Sequence, residues 1–225
     1  MKYAVVDIDD TLLYTKTRNH AVWRHVMGRE IPFEDVITMG AKQIFDKHAT
    51  PEEMDRMDEL QDRYWGVLLC REEPGPELLE MDEAIPHAAE ALQRWSEHSG
   101  IVYLTGRPET MRGPTLDALR RFGFPTNGVQ LVMYDLSDWD SFLTDNSRAL
   151  FEARRRLFTS IAERHTVTRV VDDFPGYFRI YSELDIRDRV GLHRSSRHTR
   201  QMFFDRGATR VVESWQPLVD DLQEV

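Results

Sequence analysis

Cysteine is nearly absent from this chain. Cys70 is the only one in 225 residues, which excludes an internal disulfide, a cysteine-held iron–sulfur cluster and a cysteine-based zinc site. A reducing, cytoplasmic setting is the expectation. No apolar run reaches the roughly 20 residues of a membrane span, so no membrane partner is expected. Met1-Lys2-Tyr3-Ala4-Val5-Val6 enters a strand-like run at once, so no signal peptide is expected. Lysine is scarce as well: Lys2, Lys16, Lys42 and Lys47 are the only four among 29 basic residues, leaving 25 arginines. Positive charge is in deficit, and a formal net charge of -10 disfavours a broad basic surface for nucleic acid. No Gly-x-x-x-x-Gly-Lys-Ser/Thr loop occurs, so a P-loop kinase is excluded. Repeats and low-complexity tracts are lacking too.

What is present suits one good core with a smaller lobe: 41% of residues are hydrophobic and 10% aromatic. Five short runs rich in β-branched or aromatic residues read as buried parallel strands, namely 3–6, 101–104, 129–133, 169–171 and 210–212. Helical patterns separate them. Residues 108–122 carry Met111, Leu116, Leu119 and Phe122 on one side, and Phe151, Phe158 and Ile161 mark a second amphipathic helix. Alternating strand and helix predict an α/β fold, a doubly wound, mainly parallel Rossmann-like sheet. Residues 14–84 break the rhythm with helical patterns alone and predict an inserted helical cap, so residues 1–13 and 85–225 are expected to form the core. Within the insertion, Thr50-Pro51-Glu52-Glu53 is a helix start with acids in its first turn. Met54, Met57, Tyr64, Trp65 and Leu68 then form an apolar stripe. Pro86 precedes a helix with Ala88, Ala91, Leu92 and Trp95 facing inward.

Ligands of an open parallel sheet bind beyond the carboxyl ends of its strands, and those positions are polar here. The first strand ends in Asp7-Ile8-Asp9-Asp10-Thr11, the second in Thr105-Gly106-Arg107 and the fourth in Asp172-Asp173. Gathering carboxylates from two strands is costly, because like charges raise one another's pKa. A bound cation offsets that cost, and an oxygen-only donor set suits Mg²⁺. Two aspartates at spacing two can address one ligand, so one attacks a phosphoryl group while the other handles a proton. Thr105 offers a hydroxyl to phosphoryl oxygens, and a basic side chain must complete the charge balance.

These segments resemble the motifs of the haloacid dehalogenase superfamily of phosphohydrolases. Asp7-Ile8-Asp9-Asp10-Thr11-Leu12 is similar to its first motif, Ile101 to Pro108 to its second, and Val170-Val171-Asp172-Asp173 to its fourth. The resemblance implies a phosphomonoester hydrolase that works through an aspartyl phosphate on Asp7, with Asp9 as acid/base and Thr105 as phosphate binder. It implies Mg²⁺ ligated by Asp7, Asp172, Asp173 and the backbone carbonyl of Asp9, and a helical cap before the second motif. The family's third-motif lysine has no counterpart after Lys47. Arg154 takes that place, with Leu157 and Phe158 following at helical spacing, and Arg155 and Arg148 as alternatives.

Thr105-Gly106-Arg107-Pro108, Leu131-Val132-Met133, Val171-Asp172-Asp173 and the position of Arg18 after the first motif carry a narrower resemblance to the 3′-phosphatase domain of polynucleotide kinase phosphatases, which implies that Arg18, Gly106 and Arg107 bind substrate phosphate. The expected partner is a phosphorylated small molecule or a nucleotide; a nucleic-acid 3′-phosphate is the alternative and is not favoured. A reading from another class is a catalytically silent module that binds a phosphorylated ligand, motivated by the missing lysine. Among the remaining residues, 187–200 read as an exposed basic surface, with Arg107 more readily solvated than Thr105. Cys70 and Met39, Met54, Met57 and Trp65 read as core, and His20 and His25 as packing or capping residues.

Overall fold

The computed structural model describes residues 1–137 and 139–222. The chain divides into two compact units. One comprises residues 1–14, 84–194 and 198–225, and the other residues 15–83 with the short segment 195–197.

The larger unit is built on a parallel sheet of six strands among the described residues: β1 (Lys2–Val6), β2 (Gly100–Pro108), β3 (Gln130–Tyr134), β4 (Thr166–Asp172), β5 (Asp188–Leu192) and β6 (Arg210–Val212), in the order β3-β2-β1-β4-β5-β6. Five strands coincide with the runs read from sequence. The sixth, β5, falls inside the segment expected to be basic surface. The order of strands reverses between β1 and β4, and such a switch point opens a crevice at the carboxyl ends. Register makes the crevice specific: Val6 pairs with Tyr103 on one side and with Val171 on the other. Asp7, the residue that follows β1, donates its N–H to Val171 O at 3.0 Å. Asp7 and Asp172 therefore leave neighbouring strands side by side.

Apolar residues close both faces of this sheet. Val5, Val102, Leu104 and Val170 pack with Phe158 and Ile161 of the helix Asn146–Arg164, and with Phe178 and Tyr181 of the helix Phe178–Glu183. Trp95 and Trp215 lie with ring centroids 5.6 Å apart, and the Arg169 guanidinium sits 4.5 Å from the Trp95 ring. Ala88, Ala91, Leu92 and Trp95 are all buried, as their spacing predicts. On the helix Arg112–Arg121 the buried face is Thr115, Ala118 and Leu119, so Leu116 and Phe122 are only half-buried.

The smaller unit is helical, with Trp23 between Phe45 and Tyr64 at 4.7 and 4.2 Å between ring centroids. Met39, Met57 and Trp65 pack against that cluster. Met54 is exposed at the end of a separate short helix, Pro51–Met54, outside the helix Met57–Leu68 that carries the rest of the stripe, and Cys70 is half-buried with φ +57°. His20 contacts Ile31 O at 2.6 Å. The helix start at Thr50 is as read: Thr50 Oγ1 accepts from Glu53 N, and Glu53 accepts from Thr50 N at 2.8 Å. Glu53 also takes two 2.7 Å bonds from Arg29, and these contacts hold its carboxyl down to about 2. A carboxylate depressed on folding stabilises above its unfolded pKa, and that contribution is lost as pH falls from about 4.5 toward 2. Glu53→Gln is expected to cost about 1 kcal/mol at pH 7. Paired denaturant melts should show the gap between variant and wild type closing on acidification through that window.

No described helix is long and apolar enough to cross a membrane.

Candidate active site

The switch-point crevice gathers the acids. One carboxylate oxygen from each of Asp7, Asp172 and Asp173 can be chosen so that all lie within 4.8 Å of one another. With Asp9 and Gly106 these residues line a cavity of about 700 Å³ drawn from the larger unit. Asp7 is 9% exposed and Asp172 only 1%. A tight turn follows β1, in which Leu12 and Leu13 donate to Ile8 O at 2.8 and 2.9 Å and Asp10 adopts φ +57°. That turn brings Asp9 back toward the sheet ends, and Thr11 Oγ1 donates to Asp173 at 3.5 Å.

Arg154 is the cation of this cluster. It is 1% exposed, and its Nη2 donates to Asp7 Oδ1 at 2.8 Å and also to Asp172 Oδ2. Nη1 donates to Leu104 O at 2.6 Å, Nε to Tyr181 Oη at 3.1 Å, and the guanidinium lies 4.7 Å from the Tyr177 ring. Every face of the fork is used, which a single ammonium could not match. Of the alternatives, Arg155 is exposed and paired with Glu183, while Arg148 lines the cavity six residues earlier on the same helix.

Burial pushes the Asp7 carboxyl up, as do Asp172 and Asp9, while Arg154 pulls it down. Burial opposes the Arg154 charge, but Tyr181, Asp172 and Asp7 outweigh it and hold the guanidinium firmly cationic. One guanidinium facing several carboxylates leaves net negative charge, and three of the carboxylates converge on a point. This is a donor set that fits a hard divalent cation.

Arg107 and Thr105 both reach Asp9. Arg107 is 2% exposed, not solvated, and its fork grips Asp9, with Nη2 to Oδ1 at 2.7 Å and Nε to Oδ2 at 3.0 Å. Thr105 is fully buried; its Oγ1 donates to Asp9 at 3.3 Å and accepts from Arg107 N at 3.2 Å. Both side chains orient the second aspartate. Arg18 belongs to the smaller unit, where it is buried with Nε 2.9 Å from Asp82. A guanidinium that neutralises a buried carboxylate has its charge committed.

Tyr177 and Tyr181 are site residues that the strand-end logic passed over. Tyr181 Oη donates to Asp172 Oδ2 at 2.6 Å. Burial raises both phenols, Tyr177 to about 12 and Tyr181 well above its ordinary value, so both keep their protons near neutral pH. Their signal in the sequence is two tyrosines one helical turn apart, just after Asp172-Asp173.

No protein-family model and no curated protein matches the chain. Solved structures do. A haloacid dehalogenase-like hydrolase from Streptococcus pneumoniae aligns with a TM-score of 0.62 at 10% identity, covering 94% of this chain and 93% of its own. A hydrolase of subfamily IA of that superfamily, from Geobacter sulfurreducens, gives 0.61 at 14% identity, with 99% and 96% covered. One from Deinococcus radiodurans, solved with phosphate and sodium bound, gives 0.60 at 18% identity, with 96% and 92% covered. The fold is that of the haloacid dehalogenase hydrolases. At these identities it is the architecture that is shared, over nearly the whole length of each relative.

Proposed function

We propose that the chain is a haloacid dehalogenase-type phosphatase that uses Mg²⁺ to hydrolyse a phosphomonoester through an aspartyl phosphate on Asp7. The observation that carries this reading is the convergence of Asp7, Asp172 and Asp173 within 4.8 Å in a cavity that Asp9 also lines. Asp7 attacks phosphorus and the bond to the ester oxygen breaks, with Asp9 giving its proton to the leaving alcohol. Asp9 then takes a proton from water, whose oxygen attacks the phosphoryl group and frees Asp7 and inorganic phosphate. Arg107 and Thr105 fix the direction of the Asp9 carboxyl for both transfers. Held by Asp7, Asp172 and Asp173, Mg²⁺ would supply charge neutralisation for the transferring group. Arg154 fixes the two buried ligand carboxylates in place of the lysine that the family resemblance leads one to expect. The helical unit is assigned the selection of the leaving group, as a cap.

Phosphate release from a panel of phosphomonoesters, with Mg²⁺ and with EDTA, tests the proposal. Release in Mg²⁺ and a loss of roughly 100-fold or more in EDTA is expected. Phospho-ligand binding without release from any ester would overturn it in favour of a silent binding module.

A further inference from the structure

Arginine is plentiful here and almost always engaged. Of the 25 arginines, only Arg148, Arg156, Arg179 and Arg206 lack a side-chain hydrogen bond, ion pair or ring contact among the described residues. Three of those four, Arg148, Arg179 and Arg206, line the same cavity as Asp7 and Asp172. They come from three separate elements. Arg148 lies in the first turn of the helix Asn146–Arg164, Arg179 is in the helix Phe178–Glu183, and Arg206 follows the helix Arg200–Phe204. Arg179 and Arg206 also line an adjoining groove of about 410 Å³, so they stand where the two cavities meet.

Arg148 precedes Arg154 by six residues, or about 9 Å along a helix axis. That spacing sets Arg148 apart along the helix from the Asp7–Arg154 contact, and Arg179 and Arg206 join the cavity wall from other elements. The wall of the cavity includes Phe151, Tyr177 and the 41% exposed ring of Phe174, which suit an uncharged spacer. Asp145 lines the cavity too, but its carboxylate is occupied in capping the helix, accepting from Arg148 N at 3.1 Å.

We propose that Arg148, Arg179 and Arg206 form a recognition site for a second anionic group, so that the preferred substrate is a phosphomonoester bearing a further phosphate or carboxylate several bonds from the scissile phosphorus. This rests on the phosphatase reading and deepens it. Guanidinium binds either anion through paired N–H donors, and the apolar wall holds the connecting chain.

The test uses alkyl phosphates of one chain length whose far end is a phosphate, a carboxylate, a hydroxyl or a trimethylammonium group. Turnover is measured as kcat/KM and binding by calorimetry, both on the full chain with Mg²⁺. Wild type is expected to favour the anionic tails over the hydroxyl tail by roughly 10-fold or more, and to place the cationic tail last. Comparison of the phosphate and carboxylate arms shows which anion the site prefers. In the triple variant Arg148→Gln, Arg179→Gln, Arg206→Gln the ratio should fall to within about 2-fold, while Arg156→Gln, on the same helix but outside the cavity, keeps the wild-type ratio. The readout is a ratio, so a general loss of activity cancels. Equal turnover of anionic and hydroxyl tails, or a preference that survives the triple substitution, would overturn the inference. Selective binding of anionic tails without hydrolysis of any ester would instead sink the phosphatase reading and leave the second site standing.

Discussion

Asp7→Asn is expected to lower phosphomonoester kcat by roughly 1,000-fold or more, because an amide cannot form the acyl phosphate on which both half-reactions depend. The same substitution should leave stability unchanged or raise it. Asp7 is buried beside Asp172, and burial disfavours its ionised form, with only Arg154 opposing. An asparagine of nearly the same shape can still accept from Arg154 Nη2 through its side-chain oxygen, and it brings no charge to desolvate. Loss of catalysis together with retained or improved melting temperature is the pattern of a residue kept for chemistry at a cost in stability. Stopped assays across a substrate panel, alongside melts in EDTA, check both halves. A variant within about tenfold of wild-type kcat would exclude Asp7 as the nucleophile.

Much of this site was legible in the sequence because its acids follow apolar strand runs. Val5-Val6 before Asp7 and Val170-Val171 before Asp172 are patterns of sheet interior, and the switch-point rule then places the next residues in one crevice. Arg154 was legible by elimination of lysine and by helical spacing. The sixth strand was not. β5 reads Asp-Arg-Val-Gly-Leu, and its charges look like surface until their partners are known. Asp188 is buried, 2.6 Å from Arg169 Nε and 2.7 Å from Arg210 Nη2, so three strands share one ion-pair network in the interior. Periodicity cannot register a charge whose partner lies 19 or 22 residues away.

Side-chain direction was the other limit. Strand-end position puts Thr105 and Arg107 at the crevice, but it does not reveal that both reach Asp9. A resemblance in motif order carries no information about Asp82, 64 residues on from Arg18, beside which Arg18 is buried. The segment 195–197 joins the smaller unit from the far side of the sequence, and Arg197 donates to Val36 O there. A contact of that range has no local signature.

The second large effect is expected at Arg154, and it separates structure from catalysis by way of metal. Arg154→Met removes the one guanidinium that bridges Asp7 and Asp172, and leaves Leu104 O and Tyr181 Oη without that donor. Two buried carboxylates without their cation should cost about 3–5 kcal/mol, or roughly 10 °C of melting temperature for a chain of this size. Arg154→Lys keeps the charge and at most three of the contacts, so a smaller loss of about 1–2 kcal/mol is expected. If the same carboxylates are the cation site, added Mg²⁺ binds the folded state, and its stabilisation grows with its affinity there. Removal of the competing guanidinium raises that affinity, so Mg²⁺ should restore more melting temperature to Arg154→Met than it adds to wild type. An equal Mg²⁺ increment in both proteins would place the ion elsewhere. The methionine variant should still turn over poorly when saturated with Mg²⁺, because a thioether cannot hold Asp7 in line for attack, whereas the lysine variant should retain part of kcat. Full activity in Arg154→Met would reduce the residue to a counter-charge for folding and return the search for the third-motif cation to Arg148.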